Sequence, residues 1–197
     1  INGYINNGLD SSKSLTIESG DLTISAVNNG IKVKDTLIIN GGTIDVLSGN
    51  DGIKAETEET AATEAVTDVE TGEILIEASE GTEAAGTIII NGGDIMTDSY
   101  GDAIQANLSL TVNGGNITVK TEGEAAQKNE FRDSRPGQSS GNSQTDSTSE
   151  KGLKSSGTIT INGGIIYIDT VDDAIHSAEL ITVNGGDSNG TITLEKI

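Results

Sequence analysis

The sequence predicts an all-β protein, a right-handed parallel β-helix (β-solenoid) of about six 22-residue coils with two insertions. The first observation behind this prediction is a recurring triplet, Asn-Gly-Gly, with its second glycine at Gly42, Gly93, Gly115, Gly164 and Gly186, after a degenerate copy that ends at Gly20. The second is the spacing, which is 22 residues from 20 to 42, from 93 to 115 and from 164 to 186. The third is the abundance of Thr, Ile and Val at fixed places in this period, which is typical of stacked β-strands.

Each coil is predicted to contain three short strands. The first is centred on one large aliphatic residue that follows a polar turn, and its six copies are Leu9, Ile31, Ile53, Ile104, Leu153 and Ile175. The second is an alternating pair before Gly-Gly, such as Leu37 with Ile39, and the third follows Gly-Gly, such as Ile44 with Val46. Alternation with a period of two places one face of a strand inside and the other outside. A right-handed coil is expected because parallel crossovers are almost always right-handed.

Equivalent positions of neighbouring coils are expected to form ladders, because parallel strands stack at about 4.8 Å. The asparagines of the triplets form one such column, here called the Asn ladder: Asn40, Asn91, Asn113, Asn162 and Asn184. Stacked asparagine side chains hydrogen-bond from coil to coil. We therefore assign the Asn ladder a structural role.

The chain is predicted to be a single β-helix domain over residues 1–197, part of a larger protein, with insertions at 56–86 and 121–149. The first insertion carries ten acidic residues and no basic one, and its segment 73–77 can pair as a local strand. The second is rich in Ser, Gly, Gln and Glu, and its low apolar content predicts that it does not order itself.

The acidity of the chain limits its partners. A formal net charge of −20, from 31 acidic and 11 basic residues, argues against nucleic acid, which binds to basic faces. No segment approaches the ~18 consecutive apolar residues of a membrane span. Two interpretations of the acidity stay open: the solvated surface of a secreted or cell-surface protein, and divalent cation binding at selected turns.

The turn that opens each coil contains the candidate metal ligands. One column of this turn, here called the turn ladder, consists of Asn7, Asn29, Asp51, Asp102, Lys151 and Asp173. Stacked Asp51 and Asp102 would repel each other unless a cation lies beside them. Lys151 is expected to neutralise Asp102 and Asp173, whereas Asp51 has no such partner in the coil below it, where Asn29 lies.

Calcium is the predicted cofactor, because Ca²⁺ binds six to eight hard oxygen ligands. The candidate ligands are Asn50, Asp51, Asp98, Asp102, Asp169, Asp172 and Asp173. The alternative is that these residues cap the chain reversal as ordinary turn residues.

A second outward column, here called the basic stripe, is the candidate carbohydrate site: Lys32, Lys54, Gln105, Lys154 and His176. A regular stripe of donors suits an extended, carboxylated polysaccharide. The alternative is charge balance against the neighbouring acidic residues. Tyr100 is added to the site because an exposed aromatic ring can stack on a sugar, although it can equally be a packing residue.

Catalysis is not predicted. The sequence has no cysteine and no Ser/His/Asp spacing, and His176 is only a turn neighbour of Asp172 and Asp173. Carboxylates are numerous, but no pattern places two of them across a groove as glycoside hydrolysis requires.

Four related strings carry a resemblance to a known family: Asn-Asp-Gly-Ile-Lys-Ala at 50–55, Gly-Asp-Ala-Ile-Gln-Ala at 101–106, Lys-Gly-Leu-Lys-Ser at 151–155 and Asp-Asp-Ala-Ile-His-Ser at 172–177. Each is followed by a strand and Asn-Gly-Gly. Together, over residues 28–186, they resemble the secreted carbohydrate-binding β-helix family first recognised in cellulolytic clostridia. The resemblance implies a pectate-lyase-like fold that binds calcium and plant cell-wall polysaccharides, pectic chains included, without established catalysis. By position it marks the Asp turns as calcium sites, and the copies at Asn29 and Lys151 depart from the acidic pattern.

The leading hypothesis is an extracellular, calcium-binding module for a plant cell-wall or acidic polysaccharide, either pectic or cellulosic. The second is a structural or adhesive solenoid that associates end to end without binding sugar. The third is a polysaccharide lyase.

Overall fold

The computed structural model describes residues 6–56, 86–121 and 149–184, and in addition the backbone of short strands at 2–3, 66–67, 74–75 and 191–195. Within these residues the regular secondary structure consists of strands alone. In chain order they are β1 (Asn2–Gly3), β2 (Leu9–Ser11), β3 (Leu15–Ile17), β4 (Asp21–Ala26), β5 (Ile31–Val33), β6 (Thr36–Ile39), β7 (Thr43–Ser48), β8 (Ile53–Ala55), β9 (Val66–Thr67), β10 (Ile74–Leu75), β11 (Thr87–Ile90), β12 (Asp94–Ser99), β13 (Ile104–Ala106), β14 (Ser109–Val112), β15 (Asn116–Thr121), β16 (Leu153–Ser155), β17 (Thr158–Ile161), β18 (Ile165–Asp169), β19 (Ile175–Ser177), β20 (Leu180–Val183) and β21 (Thr191–Glu195).

Three parallel sheets confirm the predicted β-helix of about six coils. Sheet 1 contains β2, β5, β8, β13, β16 and β19, and sheet 2 contains β3, β6, β11, β14, β17 and β20. Sheet 3 contains β1, β4, β7, β12, β15, β18 and β21. Each coil contributes one strand to each sheet, and the strand pairs with its counterparts in the neighbouring coils. The hand of the coil stays a prediction.

The core is a continuous stack of aliphatic side chains inside the three sheets. Ile53 pairs in register with Ile31 on one side and Ile104 on the other, and all three side chains are fully buried. Inward positions of sheets 2 and 3, such as Ile39 and Val46, are buried in the same way. Burial of apolar surface stabilises the fold by about 25 cal/mol per Å², so this stack is the main source of stability.

The second glycine of each triplet is required by the backbone. Gly42, Gly93, Gly115 and Gly164 have φ values of 100°, 105°, 102° and 99°, a region that residues with a Cβ rarely adopt. A Cβ added to Gly42 would also lie 2.5 Å from the carbonyl oxygen of Gly20 in the preceding coil. The tight stacking of the turns therefore explains the recurrence of Gly at this place.

The Asn ladder is confirmed. Nδ2 of Asn91 donates to Oδ1 of Asn40 at 2.8 Å, and Nδ2 of Asn113 donates to Oδ1 of Asn91 at 2.7 Å. Asn162 and Asn184 continue the ladder at 2.7 and 2.8 Å. Each amide thus connects two coils, as expected for a structural column.

Short strands lie within the first predicted insertion, where β9 pairs antiparallel with β10. The pairing of Ile74 and Leu75 confirms the local strand predicted within 73–77. The predicted lack of order in the second insertion concerns residues 122–148, which lie outside the described residues.

Candidate functional site

The turn ladder is held together by hydrogen bonds from backbone to side chain. The N–H of Asp51 donates to Oδ1 of Asn29 at 3.2 Å, and the N–H of Asp102 donates to Oδ1 of Asp51 at 3.0 Å. The N–H of Lys151 in turn donates to Oδ1 of Asp102 at 2.9 Å. One side-chain oxygen of Asn29, Asp51 and Asp102 therefore caps the backbone of the next coil, as the turn-residue alternative predicts.

The second carboxylate oxygens of Asp51 and Asp102 are paired with lysines of the basic stripe. Oδ2 of Asp51 lies 3.0 Å from Nζ of Lys54, and Oδ2 of Asp102 lies 2.7 Å from Nζ of Lys154. Both aspartates are buried, with 5% and 1% of their surface exposed. As predicted, Asp51 meets the neutral Asn29 in the coil below, and its partner Lys54 comes instead from its own coil, three residues further on.

Lys151 pairs with the aspartates of the next coil. Its Nζ contacts Oδ2 of Asp172 and lies 3.0 Å from Oδ2 of Asp173, which confirms its predicted pairing with Asp173. The predicted neutralisation of Asp102 by Lys151 was wrong, because Lys154 occupies that carboxylate. Nδ1 of His176 lies 3.1 Å from Oδ2 of Asp173, within hydrogen-bond distance of the same carboxylate.

Glu56 joins the basic stripe and was missed by the sequence analysis. Its two oxygens lie 2.7 Å from Nζ of Lys32 and 2.9 Å from Nζ of Lys54. The available signal was its position directly after strand β8, two residues beyond Lys54. The lysines of the stripe are thus engaged by carboxylates of the protein, which supports the charge-balance alternative.

The other predicted site residues lie beside these ladders. Gln105 lies in register between Lys54 and Lys154. Nδ2 of Asn50 donates to Oδ1 of Asn29 at 3.0 Å, so this amide helps to build the turn. Tyr100 is partly buried in the turn before β13.

Asp98 and Asp169 lie apart from the turn ladder, on the outer face of sheet 3. Lys120 is in register with both of them and lies between them. The predicted metal ligands are therefore divided between two places, and each place contains a lysine. In the described parts of the chain, no three His, Cys, Asp or Glu side chains converge into a group that could hold a metal ion.

Calcium stays a prediction, but the donors at the turn ladder do not fit it. Asp51 and Asp102 each use one oxygen for a backbone N–H and the other for an ammonium group. A Ca²⁺ ion, which needs six to eight oxygens, would have to displace those lysines.

Burial and pairing shift the pKa values of the network in opposite directions. Burial raises the pKa of Asp51 above its usual value, and the nearby Lys54 only partly offsets this shift. Burial also acts on Glu56, but Lys32 and Lys54 outweigh it and lower the pKa of this carboxyl. Burial opposes protonation of Lys54, but Asp51 and Glu56 outweigh it and raise the pKa of its ammonium group.

The raised pKa of Asp51 predicts a pH dependence of stability. The folded chain retains the proton of Asp51 at pH values where the unfolded chain has lost it, so this residue destabilises the fold as pH rises through its folded pKa. In Asp51→Asn the Oδ1 acceptor remains and this contribution disappears. We expect urea denaturation to show that the stability of Asp51→Asn relative to the wild type increases between about pH 4 and pH 7. A constant difference over that range would contradict the assignment.

Comparison with known families identifies the chain. A family model described as "carbohydrate-binding domain-containing protein" matches residues 1–84 and 76–193. The chain belongs to this family. The searches of curated proteins and of solved structures found no significant match. Membership supports a carbohydrate-binding role for this domain. Among its described residues, no helix has the length and apolar character needed to cross a membrane.

One outer face of the carbohydrate-binding domain carries no charge. This neutral face consists of the outward side chains of β6, β11, β14 and β17: Thr36, Ile38, Thr87, Ile89, Ser109, Thr111, Thr158 and Thr160. The outward positions of the flanking strands β3 and β20 are also uncharged, and the Asn ladder runs along one border. The outer faces of sheets 1 and 3 contain both Asp and Lys.

The neutral face was not predicted from the sequence, although a signal for it was present. In a chain with a net charge of −20, the outward positions of the second strand contain only Thr, Ser, Ile and Leu. Each amide of the Asn ladder has two N–H donors and uses one of them within the ladder. The border of the face therefore has a further donor on each coil.

Proposed function

We propose that the protein is an extracellular carbohydrate-binding module that holds an extended, neutral plant cell-wall polysaccharide on the neutral face. Membership of the carbohydrate-binding family supports the class of ligand. The absence of charge on one regular face of a chain with a net charge of −20 is the observation that carries the proposal.

The chemistry of the neutral face matches a neutral sugar polymer. Threonine supplies a hydroxyl group that can donate and accept a hydrogen bond, together with a methyl group for the C–H surface of a sugar ring. The same groups recur on each coil, in register, for example at Thr111 and Thr160. Several weak contacts made by one polymer add up, because each contact after the first is intramolecular.

An acidic polysaccharide is the alternative ligand, through the basic stripe. Lys32, Lys54 and Lys154 would have to exchange the carboxylates of the protein for those of the glycan. The net charge of −20 also opposes an anionic polymer unless calcium bridges the two. Calcium-dependent binding to polygalacturonate is thus the signature of this alternative.

Affinity electrophoresis tests the proposal with soluble cellulose derivatives and polygalacturonate, each with calcium and with a chelator. Retardation by the neutral polymer, unaffected by the chelator, is expected. Retardation by polygalacturonate in calcium alone would favour the alternative ligand. Retardation by neither, together with a mass that rises with concentration, would favour the structural or adhesive solenoid.

A pair of matched substitutions locates the site. We expect Thr111→Asp/Thr160→Asp to weaken binding of the neutral polymer about tenfold or more, since an unpaired charge is desolvated against the sugar. The control is Thr118→Asp, the same change at a partly buried outward position of sheet 3. Thermal denaturation checks that all variants fold. Loss of binding in Thr118→Asp alone would place the sugar on sheet 3 and contradict the neutral face.

A further inference from the structure

The turn ladder stacks two buried carboxylates. Asp51 and Asp102 occupy consecutive rungs, and the N–H of one donates to the carboxylate of the other at 3.0 Å. Consecutive rungs are about 4.8 Å apart. A buried anion is tolerated only when an opposite charge and hydrogen bonds compensate it. The structure must therefore supply positive charge at this point of the ladder.

Lysines supply that charge from two directions. Lys54, three residues after Asp51, pairs with the aspartate of its own turn. The residue three positions after Asp102 is Gln105, which carries no charge. Lys154 instead reaches back from the following coil to Asp102, at 2.7 Å.

Along the turn ladder, each lysine pairs with the acidic residue that lies near it. In the coil of Asn29, where the turn residue is neutral, the matching Lys32 pairs with Glu56 instead. At the other end, Lys151 occupies a rung of the ladder itself and contacts Asp172 and Asp173. Every aspartate of the turn ladder thus has a lysine partner.

We infer that Lys54 and Lys154 occupy the positions that divalent cations would take in this stack, so that the fold is independent of calcium. Removal of one of these lysines frees Oδ2 of its aspartate and so converts that residue into a ligand for a divalent cation. The inference rests on the ion pairs alone and does not depend on the proposed carbohydrate function. At Asp51 and Asp102, where the sequence predicted calcium, it assigns ion pairs with lysines instead.

The first test is thermal denaturation of the full chain in calcium and in chelator. The melting temperature of the wild type is expected to change by less than about 1 °C, because a ligand that does not bind the folded state does not stabilise it. A clear fall in chelator that calcium reverses would overturn the inference.

The second test uses Lys154→Met and, as a backup in case that variant does not fold, Lys54→Met. Either variant is expected to melt below the wild type in chelator and to gain about 5 °C or more when calcium reaches about 100 times its Kd. Lys32→Met is the matched control, since its coil has Asn29 in the turn ladder, and it is expected to gain nothing from calcium. The same gain in all three variants, or none in either test variant, would overturn the proposed conversion.

Discussion

Replacement of Asp102 by alanine is expected to lower the free energy of unfolding by about 3–5 kcal/mol, the usual effect of breaking a buried ion pair from one side. Asp102 is 1% exposed, and its two oxygens hold Nζ of Lys154 at 2.7 Å and the N–H of Lys151 at 2.9 Å. Alanine leaves both groups without a partner. Urea denaturation at neutral pH measures the loss, provided that its slope stays that of the wild type.

Asp102→Asn separates the two contributions to this loss. The amide retains the Oδ1 acceptor for Lys151, as Asn29 does for Asp51, and it removes the repulsion between Asp51 and Asp102. We expect a smaller destabilisation, about 1–2 kcal/mol, from the loss of a charged partner for Lys154. Equal losses in the two variants would mean that the hydrogen bond to the next coil contributes nothing to stability.

Ile104→Ala is expected to destabilise the fold by about 2–5 kcal/mol, the range for removing a buried isoleucine side chain. Ile104 is fully buried and lies in register between Ile53 and Leu153. Parallel hydrogen bonds hold these strands at a fixed separation, so the coils cannot close over the resulting cavity. The loss should therefore lie in the upper part of the range, as measured by urea denaturation.

Gln105→Ala is the matched control for the core substitution. Gln105 is the next residue of the same strand, and its side chain points outward. Surface substitutions usually change stability by less than about 0.5 kcal/mol. If Gln105→Ala were as destabilising as Ile104→Ala, strand propensity rather than core packing would account for the loss.

The fold could be predicted because a solenoid repeats the same environment in every coil. The 22-residue spacing of Gly20 and Gly42 defines the coil, and the alternation around Ile39 identifies the inward face. The register between strands of neighbouring coils then follows from the spacing, because the coils differ in sequence but share one backbone geometry. This is why the Asn ladder was predicted correctly, down to the side chains that pair.

The charged network could be predicted only in part, because a column of a ladder does not determine which way a long side chain extends. Lys54 pairs within its own coil, but Lys154 crosses to the coil before it. The choice depends on whether an acidic residue lies within reach of the ammonium group. The basic stripe was predicted as a carbohydrate site with charge balance as the alternative, and the individual ion pairs that join it to the turn ladder were not predicted.

The neutral face was overlooked for a different reason. Its residues are those expected of any β-strand, and no single position among Thr36, Thr87 and Thr158 is unusual. Only the comparison of three sheet faces shows that charge is confined to two of them. That comparison requires the assignment of inward and outward positions for every strand, which the structure provides.

The ends of the first insertion show how this architecture treats added chain. The N–H of Glu56 donates to the carbonyl of Val33 at 3.0 Å, and the N–H of Gly86 donates to the carbonyl of Asp35 at 2.7 Å. Departure and return are thus two residues apart on the same coil, and Thr87 resumes in register with Thr36. The stack keeps its alignment across the residues that separate Glu56 from Gly86. A corner of this kind is an insertion site, at which a foreign peptide or a whole domain could be attached to the β-helix.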